Sequence, residues 1–204
     1  MSQVSPWVAR WAPVVPEGEV LDLACGTGRH ARHFAALAHP VLAVDRDADA
    51  LAQAAGEGIV TLRFDLEAEP DHAAASTPGS GPPDLTPSSA LTPMVPGRFS
   101  GIVVTNYLHR PLMAELAASL RPDGVLIYET FAIGNEAFGK PSNPAFLLAP
   151  GELLAIARAA GLRVLAFEDG YVEQPKPAMI QRLCACGPDF PVRNALLDRF
   201  EHDF

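Results

Sequence analysis

The stretch Val20-Leu21-Asp22-Leu23-Ala24-Cys25-Gly26-Thr27-Gly28-Arg29-His30-Ala31 decides how this chain is read. Val20, Leu21 and Leu23 flank Asp22 in a short apolar strand, and the small residues Ala24, Gly26 and Gly28 then form a tight turn. Past Gly28 the pattern becomes helical, with His30, Phe34, Leu37 and Ala38 three and four residues apart. A turn poor in side chains, at the mouth of a parallel sheet, lets backbone N–H groups and a helix start approach a bound cofactor closely.

Working outward, the same alternation repeats. Val41 to Val44 is a continuous apolar run, as expected of a buried parallel strand, and it ends in Asp45. A helix from about Asp47 places Ala50, Leu51 and Ala54 inward and stops at Gly56-Glu57-Gly58. The third strand, Ile59 to Phe64, again ends in an acid, Asp65. Strand four is Gly101 to Thr105, and the run Asn106-Tyr107-Leu108-His109-Arg110 follows it. Pro111 occupies a favoured first helical position, with Leu112, Leu116 and Leu120 as an inward stripe. Arg121 to Gly124 reads as a turn and Val125 to Thr130 as strand five. After a loop rich in Gly, Asn and Pro, Pro150-Gly151-Glu152 opens a helix that Gly161 closes. Leu162–Glu168 and Met179–Cys186 read as an antiparallel pair of strands, and Pro191 to Phe204 as a last amphipathic helix.

Seven strands alternating with helices predict an α/β fold: a doubly wound, mostly parallel sheet with helices on both faces. The 204 residues suffice for one such domain, residues 1–204. Val4, Trp7, Val8 and Trp11 recur at helical spacing and predict a short N-terminal helix over about 4–12, as a packed element or a lid. From about 67 to 98 the chain turns rich in Pro, Ser, Thr and Gly. That composition is too poor in apolar surface to offset its ordering entropy, and a flexible insert is expected there.

A net charge of −9, with no Lys/Arg run, argues against a nucleic-acid partner. No apolar run approaches the ~20 residues that span a bilayer, so no membrane partner is expected. Three cysteines and no export signal predict reduced thiols in the cytoplasm, and Cys184-Ala185-Cys186 lacks the second pair a structural metal needs. Nothing in the composition sets an oligomeric state.

In such sheets ligands lie at the carboxyl ends of the strands. Asp45 stands 19 residues past Gly26, where a carboxylate takes the hydroxyls of a ribose; as a bare helix cap it would do the same for N–H groups. Gly26-Thr27-Gly28-Arg29-His30-Ala31 also satisfies the G-x-G-x-x-G/A fingerprint of a dinucleotide site, so an NAD-linked oxidoreductase is an alternative. Against it stand the acid Asp22 inside strand one, the lack of a Tyr-x-x-x-Lys pair and the lack of a separate substrate domain.

Val20-Leu-Asp-Leu-Ala-Cys-Gly-Thr-Gly28 resembles motif I of the class I S-adenosylmethionine-dependent methyltransferases. Asp45, Asp65 and the run Leu120-Arg-Pro-Asp-Gly-Val-Leu-Ile127 agree with the rest of that family's pattern, over nearly all of the chain outside the proline-rich insert. Ala24 replaces the first glycine of the common form. More narrowly, the chain is similar to small bacterial methyltransferases of the tellurite-resistance and thiopurine type.

The resemblance implies S-adenosylmethionine as cofactor, with its methionine end against Ala24, Gly26 and Gly28 and its ammonium near Asp22. It puts the ribose on Asp45, the adenine on Asp65 and Leu66, and the sulfonium beside Asn106. In-line methyl transfer to a small-molecule acceptor is then mainly positioning, with an optional base. His109 is the first candidate base, and Tyr107 and Glu129 are the others; His109 could equally be a helix cap. Asn106-Tyr107-Leu108-His109 is not the Asn-Pro-Pro-Tyr motif of nucleic-acid and protein amino-methyltransferases, which counts against an exocyclic-amine acceptor. Phe138, Asn135, Lys140 and Asn143, in the loop 131–148, are candidates for acceptor contact. A third reading keeps the fold and the cofactor but uses them as a non-catalytic scaffold.

Overall fold

A computed structural model describes residues 3–68 and 93–195. Most of the insert expected at 67–98 and the helix expected at the C-terminus lie outside those residues; Val192–Asn194 form one 3-10 turn. The strands are β1 (Val20–Leu23), β2 (Val41–Asp45), β3 (Ile59–Arg63), β4 (Phe99–Thr105), β5 (Leu120–Phe131), β6 (Arg163–Val172) and β7 (Ala178–Cys186). They form one sheet in the order β3-β2-β1-β4-β5-β7-β6. Six strands run in one direction, and β7 alone is reversed, antiparallel to both β5 and β6. A dinucleotide-binding sheet has the all-parallel order 3-2-1-4-5-6, so the reversed β7 beside β5 separates this fold from it.

Because strand side chains alternate, each strand feeds two cores. Val20, Val41, Val103 and Ile127 pack with Trp7, Phe34 and Leu51. Their neighbours Leu21, Leu42, Val104 and Tyr128 pack with Leu116, Leu153 and Ala157. The helices that supply those partners are α1 (Pro6–Trp11), α2 (Arg29–Ala36), α3 (Ala48–Ala54), α4 (Met113–Ser119) and α5 (Glu152–Ala159). In α1, Ser5 accepts a hydrogen bond from the Trp7 N–H as N-cap and Pro6 takes the first position, where its missing N–H costs nothing. Trp7 and Trp11 are both buried and meet edge to face at 5.9 Å.

Three local expectations change. Arg121 to Gly124 belong to β5, which re-enters its ladder with β4 through a register shift at Phe99–Gly101. The Gly187 and Asp189 N–H groups donate to the Gly124 and Pro122 carbonyls and hold that segment extended against the far end of β7. Helix α2 ends at Ala36, leaving Leu37 exposed and Ala38 left-handed, so neither joins the inward stripe. Leu120, placed on a helix by its spacing, is a buried β5 residue, because α4 stops at Ser119.

Candidate functional site

The turn after β1 is left-handed at three positions: Ala24 at φ 53°, Gly26 at φ 53° and Gly28 at φ 75°. The last serves packing. A Cβ on Gly28 would stand 2.6 Å from Ala54 Cβ and 2.8 Å from its Cα, so the glycine lets α3 close on the turn. Gly26 differs, because a Cβ there would meet no atom of the described residues within 4 Å. Its bare backbone faces open space at the carboxyl end of the sheet, which is what a cradle for a cofactor requires.

Two carboxylates hold this turn. Asp22 is 1% exposed and accepts the Ala31 N–H at 2.8 Å, tying β1 to the first turns of α2. Burial pushes its carboxyl up to about 7; the Ala31 N–H and the Arg29 charge oppose that rise, and Asp45 adds to it. Asp45, at the end of β2, accepts the Gly26 N–H through Oδ2 at 2.7 Å and the Asp47 N–H through Oδ1 at 3.0 Å. The cap of α3 is Asp47, which accepts from Asp49 and Ala50 N–H groups, so Asp45 is not the helix cap. Each Asp45 oxygen keeps a further lone pair for a ligand.

Asp45 and Ala24 open onto a cavity of about 180 Å³, also lined by Phe64, Asp65, Leu66 and Tyr107. Asp65 accepts the Glu67 N–H at 3.0 Å in a side-chain turn, while Leu66 is buried. A second cavity of about 180 Å³ adjoins it at the ends of β4 and β5 and shares Glu67 and Tyr107 with the first. Asn106 lines this second cavity. It is left-handed at φ 56°, and its N–H donates to the Glu129 carbonyl, which turns the chain sharply out of β4.

The three candidate bases fare differently. His109 flanks a 3-10 turn, where its carbonyl accepts the Leu112 N–H, and it lines neither cavity. Glu129 accepts Arg182 Nε at 2.6 Å, and that guanidinium also binds Glu168 at 3.0 Å, so Glu129 is a paired carboxylate on the sheet. The Tyr107 hydroxyl is shut off from solvent without a hydrogen-bond partner among the described residues. Burial, followed by the Glu67 and Asp65 charges, raises its pKa well above the ordinary phenol value, so Tyr107 stays protonated.

Of the expected acceptor-loop residues, Phe138 is exposed and packs against Tyr171 at 5.1 Å. Asn135 is buried, donating to the Pro141 carbonyl and accepting the Met179 N–H, which fixes the loop on β7. Asn143 caps a 3-10 turn and Lys140 is exposed.

Sequence spacing places His30 on a helix stripe but gives it no role. It is 1% exposed, accepts the Ser5 N–H at Nε2 and meets Thr105 Oγ1 at Nδ1, 3.3 Å away. Accepting at Nε2 assigns the proton to Nδ1, which donates to Thr105. Burial lowers the His30 pKa to about 3, so the ring is neutral and joins the chain entry of α1 to the end of β4. Its position on the inward stripe of α2 was the available signal; the hydroxyl partner on β4 was not visible in sequence. Trp7 donates Nε1–H to the Leu183 carbonyl, and neither tryptophan lines the two cavities, so α1 is a packed element here. Among the described residues no group of three His, Cys, Asp or Glu could hold a metal, and no helix is long and apolar enough to cross a membrane.

No family model matches the chain, and no curated protein matches it. Solved structures do. TehB from Haemophilus influenzae is similar with a TM-score of 0.65 at 16% identity, over 92% of this chain and 63% of TehB. The chain thus spans about 63% of the length of TehB. The 1,6-didemethyltoxoflavin-N1-methyltransferase of Burkholderia thailandensis, solved with 1,6-didemethyltoxoflavin and S-adenosylhomocysteine, gives 0.57 at 21% identity, over 90% of this chain and 76% of that one. The [4+2]-cyclase SpnF gives 0.62 at 15% identity, over 89% of this chain and 80% of that one. The chain has the fold of the class I S-adenosylmethionine-dependent methyltransferases. The cyclase marks the difference between sharing that fold and sharing one reaction.

Proposed function

We propose that the chain is an S-adenosylmethionine-dependent methyltransferase that acts on a small-molecule acceptor. The observation that carries this reading is the left-handed turn open at Gly26 and braced from β2 by Asp45, 2.7 Å from the Gly26 N–H. The residues present fit the cofactor. Ala24, Gly26 and Gly28 would flank its methionine end, Asp45 its ribose hydroxyls, Asp65 and Leu66 its adenine, and Asn106 its sulfonium. When bound, the cofactor supplies an electrophilic methyl group.

The protein's own part is positioning. Asp45 holds the turn in shape before any ligand arrives, so the site is formed in advance. Asp22, buried beneath the turn, would supply an ionisable group toward the ammonium of the methionine end. Tyr107 contributes its ring to the walls of both cavities, with its hydroxyl shut off from solvent. With Glu129 paired and His109 outside both cavities, neither is placed to act as a base, and a proton lost by the acceptor passes to solvent or to Glu67 at the second cavity.

The same reading makes residues 1–204 one domain of the cytoplasm. Its sheet is covered on one face by α1, α2 and α3 and on the other by α4 and α5, as the two packed clusters suggest. The acidic charge supports the absence of a nucleic-acid partner.

The test is cofactor binding. S-adenosylhomocysteine should raise the melting temperature and NAD should not. Asp45→Asn, which keeps the shape but loses the charge, should weaken S-adenosylhomocysteine about 10- to 100-fold, as expected for hydrogen bonds to a charged group. Stabilisation by NAD alone would return the oxidoreductase reading. Tight S-adenosylhomocysteine binding with no labelled methyl entering any compound of a metabolite extract would leave the scaffold.

A further inference from the structure

The second cavity has a composition that selects among acceptors, and the argument rests on the methyltransferase reading above. Three aromatic rings, Tyr107, Phe131 and Phe146, contribute to its wall, and such faces stack on a planar body. Its volume of about 180 Å³ takes roughly ten non-hydrogen atoms at the packing density of a protein interior. The polar residues of the wall are few: Asn106, Thr130 and Glu67, beside the Tyr107 ring, whose hydroxyl is itself shut off from solvent. Among the described residues Glu67 is the one charged residue lining it, and it has no ion pair there. Lys176 Nζ lies 5.9 Å from the Phe131 ring centroid but does not line the cavity.

Each feature removes a class of acceptor. An oxyanion would sit beside Glu67 with no cation among the described lining residues to offset the repulsion. An alcohol must lose a proton to become a nucleophile, and a solvent-facing carboxylate is far too weak a base for that. An exocyclic aryl amine holds its lone pair in the ring and needs several acceptors around its N–H groups to release it; Asn106 is the one side-chain amide here.

We infer that this cavity takes a planar, uncharged heteroaromatic molecule whose ring nitrogen is the nucleophile, with Glu67 facing the positive charge that the nitrogen acquires. The nitrogen lone pair forms the new N–C bond while the S–C pair returns to sulfur, leaving a neutral thioether. The nitrogen becomes cationic, and where the ring carries an N–H that proton passes to Glu67 or water.

A charge series of similar flat probes tests this: benzimidazole, the 1,3-dimethylbenzimidazolium cation and benzoate. Binding is measured by ligand-observed NMR at low salt, on the protein with and without saturating S-adenosylhomocysteine. The cation, which mimics the charged product, should bind about fivefold more tightly than benzimidazole, the size of effect that one partly exposed charge provides. Benzoate should bind weakest, and Glu67→Gln should erase the preference for the cation. Benzoate binding as tightly as benzimidazole, an unchanged order in Glu67→Gln, or no binding of any probe would overturn the inference. Failure of S-adenosylhomocysteine to bind would instead strike the methyltransferase reading, and the series on the free protein would still decide what the cavity prefers.

Discussion

Gly26 and Gly28 stand two residues apart with the same backbone handedness, yet their substitution by alanine should have opposite consequences. At Gly28 the new methyl would fall 2.6 Å from Ala54 Cβ and 2.8 Å from its Cα, and a backbone atom cannot swing aside as a side-chain tip can. Left-handed strain costs about 1–2 kcal/mol and overpacking about 1–3 kcal/mol, so Gly28→Ala should lose about 2–5 kcal/mol. For a chain of 204 residues each kcal/mol moves the midpoint by roughly 2.3 °C, which places the Tm about 5–12 °C lower. Gly26→Ala meets nothing among the described residues within 4 Å. Only the strain remains, and the expected fall is about 2–5 °C. Its methyl, however, projects into the space the cofactor needs, so affinity for S-adenosylhomocysteine should drop at least about tenfold, the equivalent of one lost hydrogen bond or close contact. Thermal unfolding without ligand and calorimetric titration with S-adenosylhomocysteine separate the two effects. If Gly26→Ala binds like the unaltered protein, the turn is not a cradle. If Gly28→Ala melts no earlier than Gly26→Ala, the packing of α3 on the turn has been misjudged.

The pH dependence of stability should reflect two buried groups pulling in opposite directions. Asp22, raised from 3.8 to about 7, contributes stability that is full below pH 3.8 and lost as pH rises through 7; His30, lowered from 6.5 to about 3, contributes stability that is full above pH 6.5 and lost as pH falls toward 3. Their slopes nearly cancel between pH 4 and 6.5, so Asp22→Asn should uncover a rise of about 1.4 kcal/mol per pH unit in urea unfolding across that window, and an unchanged profile would refute it. Glu129→Gln should lower stability by about 1–3 kcal/mol through its weakened bond to Arg182. It should leave labelled-methyl transfer within about threefold, whereas a loss of 100-fold or more would mark Glu129 as the base after all.

Much of the sheet was legible because parallel strands buried on both faces read as continuous apolar runs, as Val41 to Val44 does, and because an acid closes each of the next two strands. The turn at Gly26 was legible because close backbone approach demands small residues. What escaped the sequence depended on partners far along the chain. The strand character of Arg121 to Gly124 comes from Gly187 and Asp189, more than sixty residues later. Glu129 looked like a base until Arg182, 53 residues on, was seen to neutralise it. His109 follows the strand end closely enough to suggest a base, yet the left-handed turn at Asn106 carries the chain past the cavity before His109 is reached.

The chain's two tryptophans, Trp7 and Trp11, both sit in α1, and both are buried. The molecule therefore carries an optical reporter confined to one six-residue helix. A red shift of its intrinsic emission records the undocking of α1 from the sheet, whatever the rest of the fold is doing. Ser5 hangs on the His30 ring, and that ring reaches Thr105, one residue before Asn106. An event at the carboxyl end of β4 thus becomes readable, without any label, in the fluorescence of the first dozen residues.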